Sequence, residues 1–301
     1  MITKNPFNIT FGIEPSTIIS RENEINQILN DFIYSESNST YIITGARGCG
    51  KTVLLGMVSE KLKELSNWIV VDVNPEENIL EQIASKLFDQ GKLKRLFLKT
   101  EFNFSFKGVG FSISGGKPIT NVSSFLEKEF EYLTKKEIRV LITIDEVVSN
   151  QNVKIFVHEY QALLRNKCMV YLLMTGLYQN ISLLQNQKSL TFLYRAPKLY
   201  LSSLNSLAIV NSYKATFSIN EDDSIELAKL TKGYPYGYQL LGNILFNENK
   251  TKIDKDVLQK FDERLYEGSY SIIFEELTPK EKEILLAAVK NTKNSYIMEQ
   301  L

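Results

Sequence analysis

The run Gly45-Ala46-Arg47-Gly48-Cys49-Gly50-Lys51-Thr52 constrains the fold of this chain more than any other feature of its sequence. It fits the pattern G-x-x-x-x-G-K-S/T, and it lies between an apolar stretch at residues 41–44 and an amphipathic stretch at residues 52–65. Glycines let successive backbone N–H groups turn towards one anion, and a helix that starts directly after them adds the positive end of its dipole. The motif and its flanks therefore predict a strand, a phosphate-binding loop and a helix.

The residue types within this motif have distinct predicted roles. Lys51 is expected to reach the β- and γ-phosphates of a nucleotide as a point charge, and Thr52 is expected to hold Mg²⁺ through its hydroxyl. An accidental match in a glycine-rich loop is the alternative, and the flanking strand and helix argue against it. The predicted nucleotide-binding residues are the whole loop and the residue after it: Gly45, Ala46, Arg47, Gly48, Cys49, Gly50, Lys51, Thr52 and Val53.

Short apolar runs alternate with longer amphipathic stretches over the first two thirds of the chain. Nearly continuous apolar strands separated by helices are typical of a parallel sheet covered on both faces. We therefore predict an α/β fold of the P-loop type, a parallel sheet sandwiched by helices. The predicted strands are residues 41–44, 68–73, 140–144, 169–175 and 198–201, and the predicted helices between them are 52–65, 78–87, 123–133, 153–164 and 181–193.

Two stretches depart from this alternation. Residues 102–114 alternate apolar residues with polar residues or glycine around Lys107-Gly108, which predicts an inserted β-hairpin. Beyond residue 204 only helical patterns follow, and they predict helices at 207–217, 224–231, 236–247 and 257–266. The sequence thus predicts an α/β domain at residues 1–204 and a helical domain at 205–275.

Polar side chains end two of the predicted strands. Asp145 and Glu146 follow strand 140–144, and ligands of open parallel sheets bind at the carboxyl ends of the strands. Asp145 is expected to orient the Mg²⁺ shell, and Glu146 is expected to polarise a water molecule for attack on the γ-phosphate. Thr175, at the end of strand 169–175, is predicted to bond the γ-phosphate or that water. Capping of the next helix is an equally good interpretation of Thr175.

Composition excludes several classes of protein. The 301 residues include 35 Lys and Arg and 35 Asp and Glu, so the chain lacks the basic excess that is typical of nucleic-acid-binding proteins. Two cysteines and one histidine are too few for a disulfide framework or a histidine metal cluster. No stretch has the length and apolarity of a signal peptide or a membrane span. We therefore expect a cytoplasmic protein that does not associate with membranes.

With these motifs in place, the chain resembles the P-loop ATPases of the AAA+ and STAND kind, particularly the archaeal-type ATPases related to origin-recognition proteins. Residues 5–7 and 15–22 are similar to the opening Pro-Phe box of that family, which packs near the adenine. Residues 192–196 are similar to the stretch where AAA+ proteins often carry an arginine finger. Gly233-Tyr234-Pro235-Tyr236 resembles the Gly-x-Pro motif in the helical lid of STAND proteins.

The resemblance implies ATP with Mg²⁺ as the ligand, Pro235 as a nucleotide contact in the lid, and Arg195 as an arginine finger that acts between subunits of a homo-oligomer. An arginine that lies along a helix end is an equally good interpretation of Arg195. Residues 276–301 are expected to begin an incomplete winged-helix domain, through which a protein or DNA partner would bind. One departure is that no arginine occurs from Gly233 to Asn249, where many AAA+ proteins carry a second sensor arginine.

The predicted function is an ATP-hydrolysing molecular switch that couples the nucleotide state to movement of the lid and the C-terminal region. One alternative is a regulatory or DNA-associated module that binds ATP with little turnover. Another is a metabolic kinase that uses the same loop. Glu146 favours the switch, and the sequence contains no evident motif for an acceptor substrate that would favour the kinase.

Overall fold

The computed structural model describes residues 4–10, 15–35, 38–89, 102–106, 109–113, 122–187 and 190–298. By their contacts the residues form two compact units. Unit 1 comprises Met1–Ile19, Arg47–Cys49 and Ser203–Leu301, and unit 2 comprises Ser20–Ala46 and Gly50–Ser202. Each unit has its own apolar core.

Within the described part of unit 2, five strands form a single parallel sheet in the order β2-β5-β6-β1-β7. The sequence-predicted strands match these five to within one residue at each end. Strands β3 and β4 pair antiparallel as a separate sheet, and the predicted turn at Lys107-Gly108 lies outside the described residues. The strands are β1 (Thr40–Thr44), β2 (Trp68–Val73), β3 (Phe102–Phe106), β4 (Val109–Ile113), β5 (Arg139–Ile144), β6 (Val170–Gly176) and β7 (Lys198–Tyr200).

The helices of unit 2 cover the sheet with apolar residues at spacings of three and four. Those described are α1 (Glu22–Tyr34), α2 (Lys51–Lys63), α3 (Ile79–Asp89), α4 (Val122–Lys135), α5 (Gln151–Arg165), α6 (Tyr178–Gln185) and a 3₁₀ helix (Thr191–Arg195). The sequence prediction missed α1, although its buried residues Ile25, Ile28 and Phe32 have helical spacing. It also predicted one helix at 181–193, where the structure has two. The buried Gln185 amide donates a hydrogen bond to the Leu193 carbonyl oxygen at 2.8 Å and stabilises this break.

The central strands of unit 2 are buried on both faces. Ile42 and Ile43 of β1 and Leu172 and Leu173 of β6 have no exposed surface, although neighbours in a strand point to opposite faces. Full burial of one such side chain stabilises the fold by about 1.5–3 kcal/mol. The sheet is therefore a rigid support for the loops that leave its carboxyl edge.

Unit 1 is helical. Its described helices are α7 (Ser206–Phe217), α8 (Glu221–Thr231), α9 (Pro235–Asn247), α10 (Lys255–Leu265), a π-helical turn (Tyr266–Tyr270), α11 (Ser271–Glu276) and α12 (Pro279–Met298). The side chains of Asn205, Asn220 and Asp254 accept hydrogen bonds from N–H groups in the first turns of α7, α8 and α10, which determines where these helices start. None of the described helices is long and apolar enough to cross a membrane.

The N-terminal segment packs in unit 1, whereas the sequence analysis assigned it to the α/β domain. Phe7 is 2% exposed and lies 5.6–5.9 Å, between ring centroids, from the aromatic rings of Tyr213, Phe217 and Tyr238. A Cβ atom on Gly242 would lie 2.4 Å from the Phe7 ring, so this close approach requires glycine. Burial of the Phe7 ring against α7 and α9 depends on residues more than 200 positions away, which the sequence pattern does not reveal.

The buried carboxyl group of Glu129 on α4 makes the stability of unit 2 depend on pH. Glu129 is 8% exposed, its Oε2 atom has no hydrogen-bond partner among the described residues, and burial raises its pKa to about 7. A raised pKa means that the folded state favours the protonated acid. The free energy of unfolding should therefore fall as the pH rises from the ordinary value of 4.5 to about 7 and stay low above it.

We expect Glu129→Gln to remove this pH dependence and to raise the free energy of unfolding at pH 8 by about 1–3 kcal/mol, because the variant buries no charge. Urea unfolding at pH 5 and pH 8 measures both effects. Glu131→Gln, an exposed acid on the same helix, should behave like the wild type. A wild-type protein that is equally stable at both pH values would contradict the prediction.

Candidate functional site

The phosphate loop connects β1 to α2, and Lys51 is the first residue of that helix. The Lys51 side chain is largely buried, and its ammonium group donates hydrogen bonds to the carbonyl oxygens of Gly45 at 3.0 Å and Ala46 at 2.9 Å. A lysine ammonium has three donors, so these two bonds leave one further donor for a ligand. The loop itself thus holds the cation at the N-terminus of α2, where the helix dipole also favours an anion.

The Asp145 carboxylate lies at the centre of a hydrogen-bond network in unit 2. Its Oδ2 atom accepts a hydrogen bond from the Thr52 hydroxyl at 2.8 Å, and its Oδ1 atom accepts one from the Thr175 hydroxyl. The Glu146 N–H group donates to Oδ1 of Asp145 at 3.1 Å and to the Thr175 hydroxyl oxygen at 3.0 Å. Four of the residues predicted from sequence to act on the nucleotide are therefore in direct contact.

The strand order explains why these four residues meet. Strand β6 lies between β1 and β5, and its Gly176 pairs with Thr44 while its Met174 pairs with Ile144. Thr175 therefore stands level with the end of β1 on one side and with the end of β5 on the other. Because all three strands are parallel, their carboxyl ends form one edge, and open α/β sheets bind their ligands at this edge.

The backbone at Glu146 has an unusual conformation. Its φ of 52° lies in the left-handed region, which costs a residue with a side chain on the order of 1 kcal/mol or more. The other described non-glycine residues with positive φ, which are Glu137, Lys167, Ser218, Lys232 and Asn249, all follow helix C-termini, where this conformation is common. Glu146 instead follows a strand, and its side chain is exposed.

The residues at this edge fit a magnesium ion. Mg²⁺ prefers oxygen ligands, usually one or two from the protein, with water and phosphate oxygens completing its shell. The Thr52 hydroxyl and the Asp145 carboxylate supply two such oxygens 2.8 Å apart. The described residues contain no cluster of three or more acidic, histidine or cysteine side chains that would hold a metal ion by itself. The pair therefore suits a cation that arrives with a nucleotide.

The remaining predicted residues lie elsewhere on the two units. Val53 is half-buried on α2, and Arg195 is exposed at the end of the 3₁₀ helix. Within the described residues the Arg195 guanidinium makes no ion pair. Pro235 is the first residue of α9 in unit 1, a position that suits proline because the first turn of a helix leaves its N–H groups unpaired.

The tip of the loop, Arg47–Cys49, belongs to unit 1 by its contacts. The Arg47 guanidinium forms a bidentate ion pair with the Glu276 carboxylate, with N–O distances of 2.5–3.0 Å. The Tyr234 hydroxyl and the Tyr236 N–H group bond to carbonyl oxygens of the same tip. Sequence reasoning did not find Glu276 or the roles of the two tyrosines. The one available signal was that Tyr234 and Tyr236 flank Pro235 in the Gly-x-Pro motif.

Comparison with known proteins identifies the family. A family model described as an ATPase domain predominantly from Archaea matches residues 18–194, which is more than half of the chain. A comparison with curated protein sequences gave no match.

Among solved structures, the ORC2 protein of Aeropyrum pernix, in ADPNP and ADP complexes, is similar with a TM-score of 0.59 and 12% identity over 90% of this chain and 74% of that one. Cdc6p of Pyrobaculum aerophilum is similar with a TM-score of 0.57 and 17% identity, covering 95% of this chain and 78% of that one. The A. pernix ORC1 protein in complex with DNA has a TM-score of 0.53 and 13% identity, and the coverage is 92% and 74%. At these identities the likeness shows a common fold.

The match to the family model agrees with the phosphate loop and with the five-stranded parallel sheet of the described residues. The chain therefore belongs to the family of ATPase domains found predominantly in Archaea, and it shares its fold with the ORC2 and Cdc6p structures.

Proposed function

We propose that this protein binds Mg-ATP at the loop Gly45–Thr52, hydrolyses it, and uses the change of nucleotide state as a molecular switch. The observation that carries this proposal is the Asp145 carboxylate, which bonds to both Thr52 and Thr175 while Glu146 stands beside it. A loop that only held a phosphate would need Lys51 and the loop amides alone. The acid pair and Thr175 add the groups that a hydrolytic reaction needs.

Each residue has a separate role in the proposed reaction. The Lys51 ammonium and the loop N–H groups bind the β- and γ-phosphates and offset the charge that develops on them. Thr52 and Asp145 would hold Mg²⁺, which would supply positive charge to offset the negative charge of the phosphates. The Glu146 carboxylate accepts a proton from the attacking water. Thr175 keeps Asp145 oriented through its hydroxyl, and we propose that on nucleotide binding the same hydroxyl bonds the γ-phosphate or the attacking water.

The C-terminal region supports an output through a binding partner. Helix α12 exposes four large apolar side chains within six residues, Ile284, Leu285, Leu286 and Val289, each between 44% and 61% exposed. Contiguous exposed apolar surface marks interaction sites in soluble proteins. We propose that this helix begins the winged-helix domain suggested by the sequence, and that nucleotide-dependent movement of the helical lid reaches a protein or DNA partner through it.

Lys51→Ala tests nucleotide binding at the loop. Because a ligand stabilises the state that binds it by mass action, Mg-ATP should raise the unfolding temperature of the wild type and should have almost no effect on the variant. Differential scanning fluorimetry across an ATP titration measures this shift. Lys61→Ala, an exposed lysine on the same helix, serves as the control and should respond like the wild type. An undiminished ATP-induced shift in Lys51→Ala would place the nucleotide elsewhere.

Glu146→Gln separates hydrolysis from binding, because the side chain acts on water rather than on the phosphates. We expect ATP affinity within a few-fold of the wild type and turnover lower by on the order of 10² or more. Glu137→Gln is a matched control, since Glu137 is also an exposed glutamate with positive φ but lies outside the site. If the wild type and Glu146→Gln turn over ATP at the same slow rate, the protein is a binding module instead.

Arg195→Ala tests whether the arginine acts across a subunit boundary. If it does, turnover per protomer rises with protein concentration, and a mixture of Arg195→Ala and Lys51→Ala subunits recovers part of the activity, because each subunit supplies the group that the other lacks. Arg165→Ala, another exposed arginine of unit 2, should leave turnover unchanged. Turnover that is independent of concentration, without recovery on mixing, would show that Arg195 does not act between subunits.

A further inference from the structure

Two backbone carbonyl groups of the phosphate-loop tip are held by residues of unit 1. The Arg47 carbonyl oxygen accepts a hydrogen bond from the Tyr234 hydroxyl at 2.8 Å, and the Gly48 carbonyl oxygen accepts one from the Tyr236 N–H group at 3.2 Å. The sequence motif assigns no role to either tyrosine. The two bonds are consecutive along the loop, so they determine the orientation of two adjacent peptide groups.

This orientation has a consequence for the loop N–H groups. In a planar trans peptide group the C=O and N–H bonds point in opposite directions. The carbonyl group of Arg47 shares its peptide group with the N–H of Gly48, and the carbonyl group of Gly48 shares its own with the N–H of Cys49. By holding the two oxygens, Tyr234 and Tyr236 orient these two N–H groups towards the opposite side of the loop.

The Tyr234 hydroxyl is itself held in place. It lies 2.6 Å from the hydroxyl of Ser269, a residue that is 4% exposed in the π-helical turn. Since Tyr234 donates its only hydroxyl proton to Arg47, Ser269 is the donor in this second bond. The Tyr234 ring also stacks on the Tyr270 ring, with centroids 6.1 Å apart and an interplanar angle of 22°. Short π-helical segments are frequent at functional sites, and this one supplies both of these contacts.

The close approach of Tyr234 and Tyr236 requires glycine at position 48. The φ of Gly48 is +70°, and a Cβ atom there would lie 2.3 Å from the Tyr234 hydroxyl oxygen and 3.0 Å from the Tyr236 Cβ atom. Tyr234 and Tyr236 therefore pack directly against the backbone of the loop at Gly48. A hydrogen bond at such a tightly packed position restrains the orientation of the peptide group.

We propose that Tyr234 is a positioning residue for nucleotide binding: its hydroxyl holds the Arg47 carbonyl group so that the loop N–H groups are oriented for the phosphates before the nucleotide arrives. This inference rests on the proposed function, since it concerns the same loop. Preorganisation increases affinity because the free protein has already restricted the groups that binding would otherwise have to order. Tyr234 is not among the residues proposed to act on the water or the γ-phosphate. Its loss should therefore change the affinity for the nucleotide and leave the rate of the chemical step unchanged.

The test is Tyr234→Phe, which removes the hydroxyl and keeps the ring that stacks on Tyr270. We expect the Kd values for Mg-ATP and Mg-ADP to rise together by about tenfold, the scale of one lost hydrogen bond. The KM for ATP should rise in parallel, and kcat should stay within about twofold of the wild type, because the groups that act on water are unchanged. In ¹⁵N-labelled protein without nucleotide, the amide resonances of Gly48 and Cys49 should shift, which loss of stability alone would not produce.

Tyr238→Phe is the matched control. The Tyr238 hydroxyl also makes a hydrogen bond within unit 1, to the Ser212 hydroxyl at 2.6 Å, but it does not touch the loop. This variant should lose a comparable amount of stability and keep the wild-type Kd. Ser269→Ala provides a second route if Tyr234→Phe does not fold: it removes the donor that orients the Tyr234 hydroxyl and should raise both Kd values by a smaller factor.

The outcomes separate the two proposals. Wild-type protein that binds ATP with the same Kd as Tyr234→Phe overturns the role of Tyr234 and leaves the proposed function standing. Tighter binding by Tyr234→Phe would also overturn it, because the hydroxyl would then restrain the loop against the nucleotide. Wild-type protein that binds neither ATP nor ADP overturns the proposed function, and the inference about Tyr234 fails with it.

Discussion

The hydrogen bonds to the Asp145 carboxylate are the interactions on which the candidate site depends. They join Thr52 of α2 to Thr175 of β6, and the residue after Asp145 donates its own N–H group to the same network. A carboxylate at a partly buried position needs such donors, because its charge is poorly solvated. The network thus satisfies the acid and, in doing so, sets the distance between the end of β5 and the start of α2.

The sheet makes this network possible. Strand β6 contributes Thr175 only because it runs parallel between β1 and β5, and the three strands are buried on both faces. Such strands cannot shift along one another by one residue without exchanging the side chains that pack on the two faces of the sheet. The register of the strands, and with it the relative positions of Thr44, Ile144 and Gly176 along the sheet, is therefore determined by the buried side chains of the core. The left-handed backbone conformation of Glu146 costs a small amount of free energy, which the stability of the surrounding sheet offsets.

Unit 1 shows how a loop can depend on residues remote in sequence. Arg47 interacts through its side chain with Glu276 and through its carbonyl oxygen with Tyr234. The ion pair is more than a third exposed on both sides and contributes little to stability on its own. The bonds to the backbone have the greater effect on the loop, because they determine the direction of its N–H groups. Phe7 likewise belongs to the core of unit 1, although it stands at the opposite end of the chain from α9.

The sequence by itself determined the strands of the main sheet, the phosphate loop and the acid pair, because each of these is a local pattern. Apolar runs of four to seven residues, a motif of eight and two acids after a strand are readable without knowledge of neighbours. Three contacts were determined only by the tertiary structure. They are the hydrogen bond of Thr175 to Asp145, the packing of Phe7 in unit 1, and the hydrogen bond of Tyr234 to the loop tip. Those contacts join residues between 30 and more than 200 positions apart. They follow from strand order and core packing, and no local pattern encodes either of these.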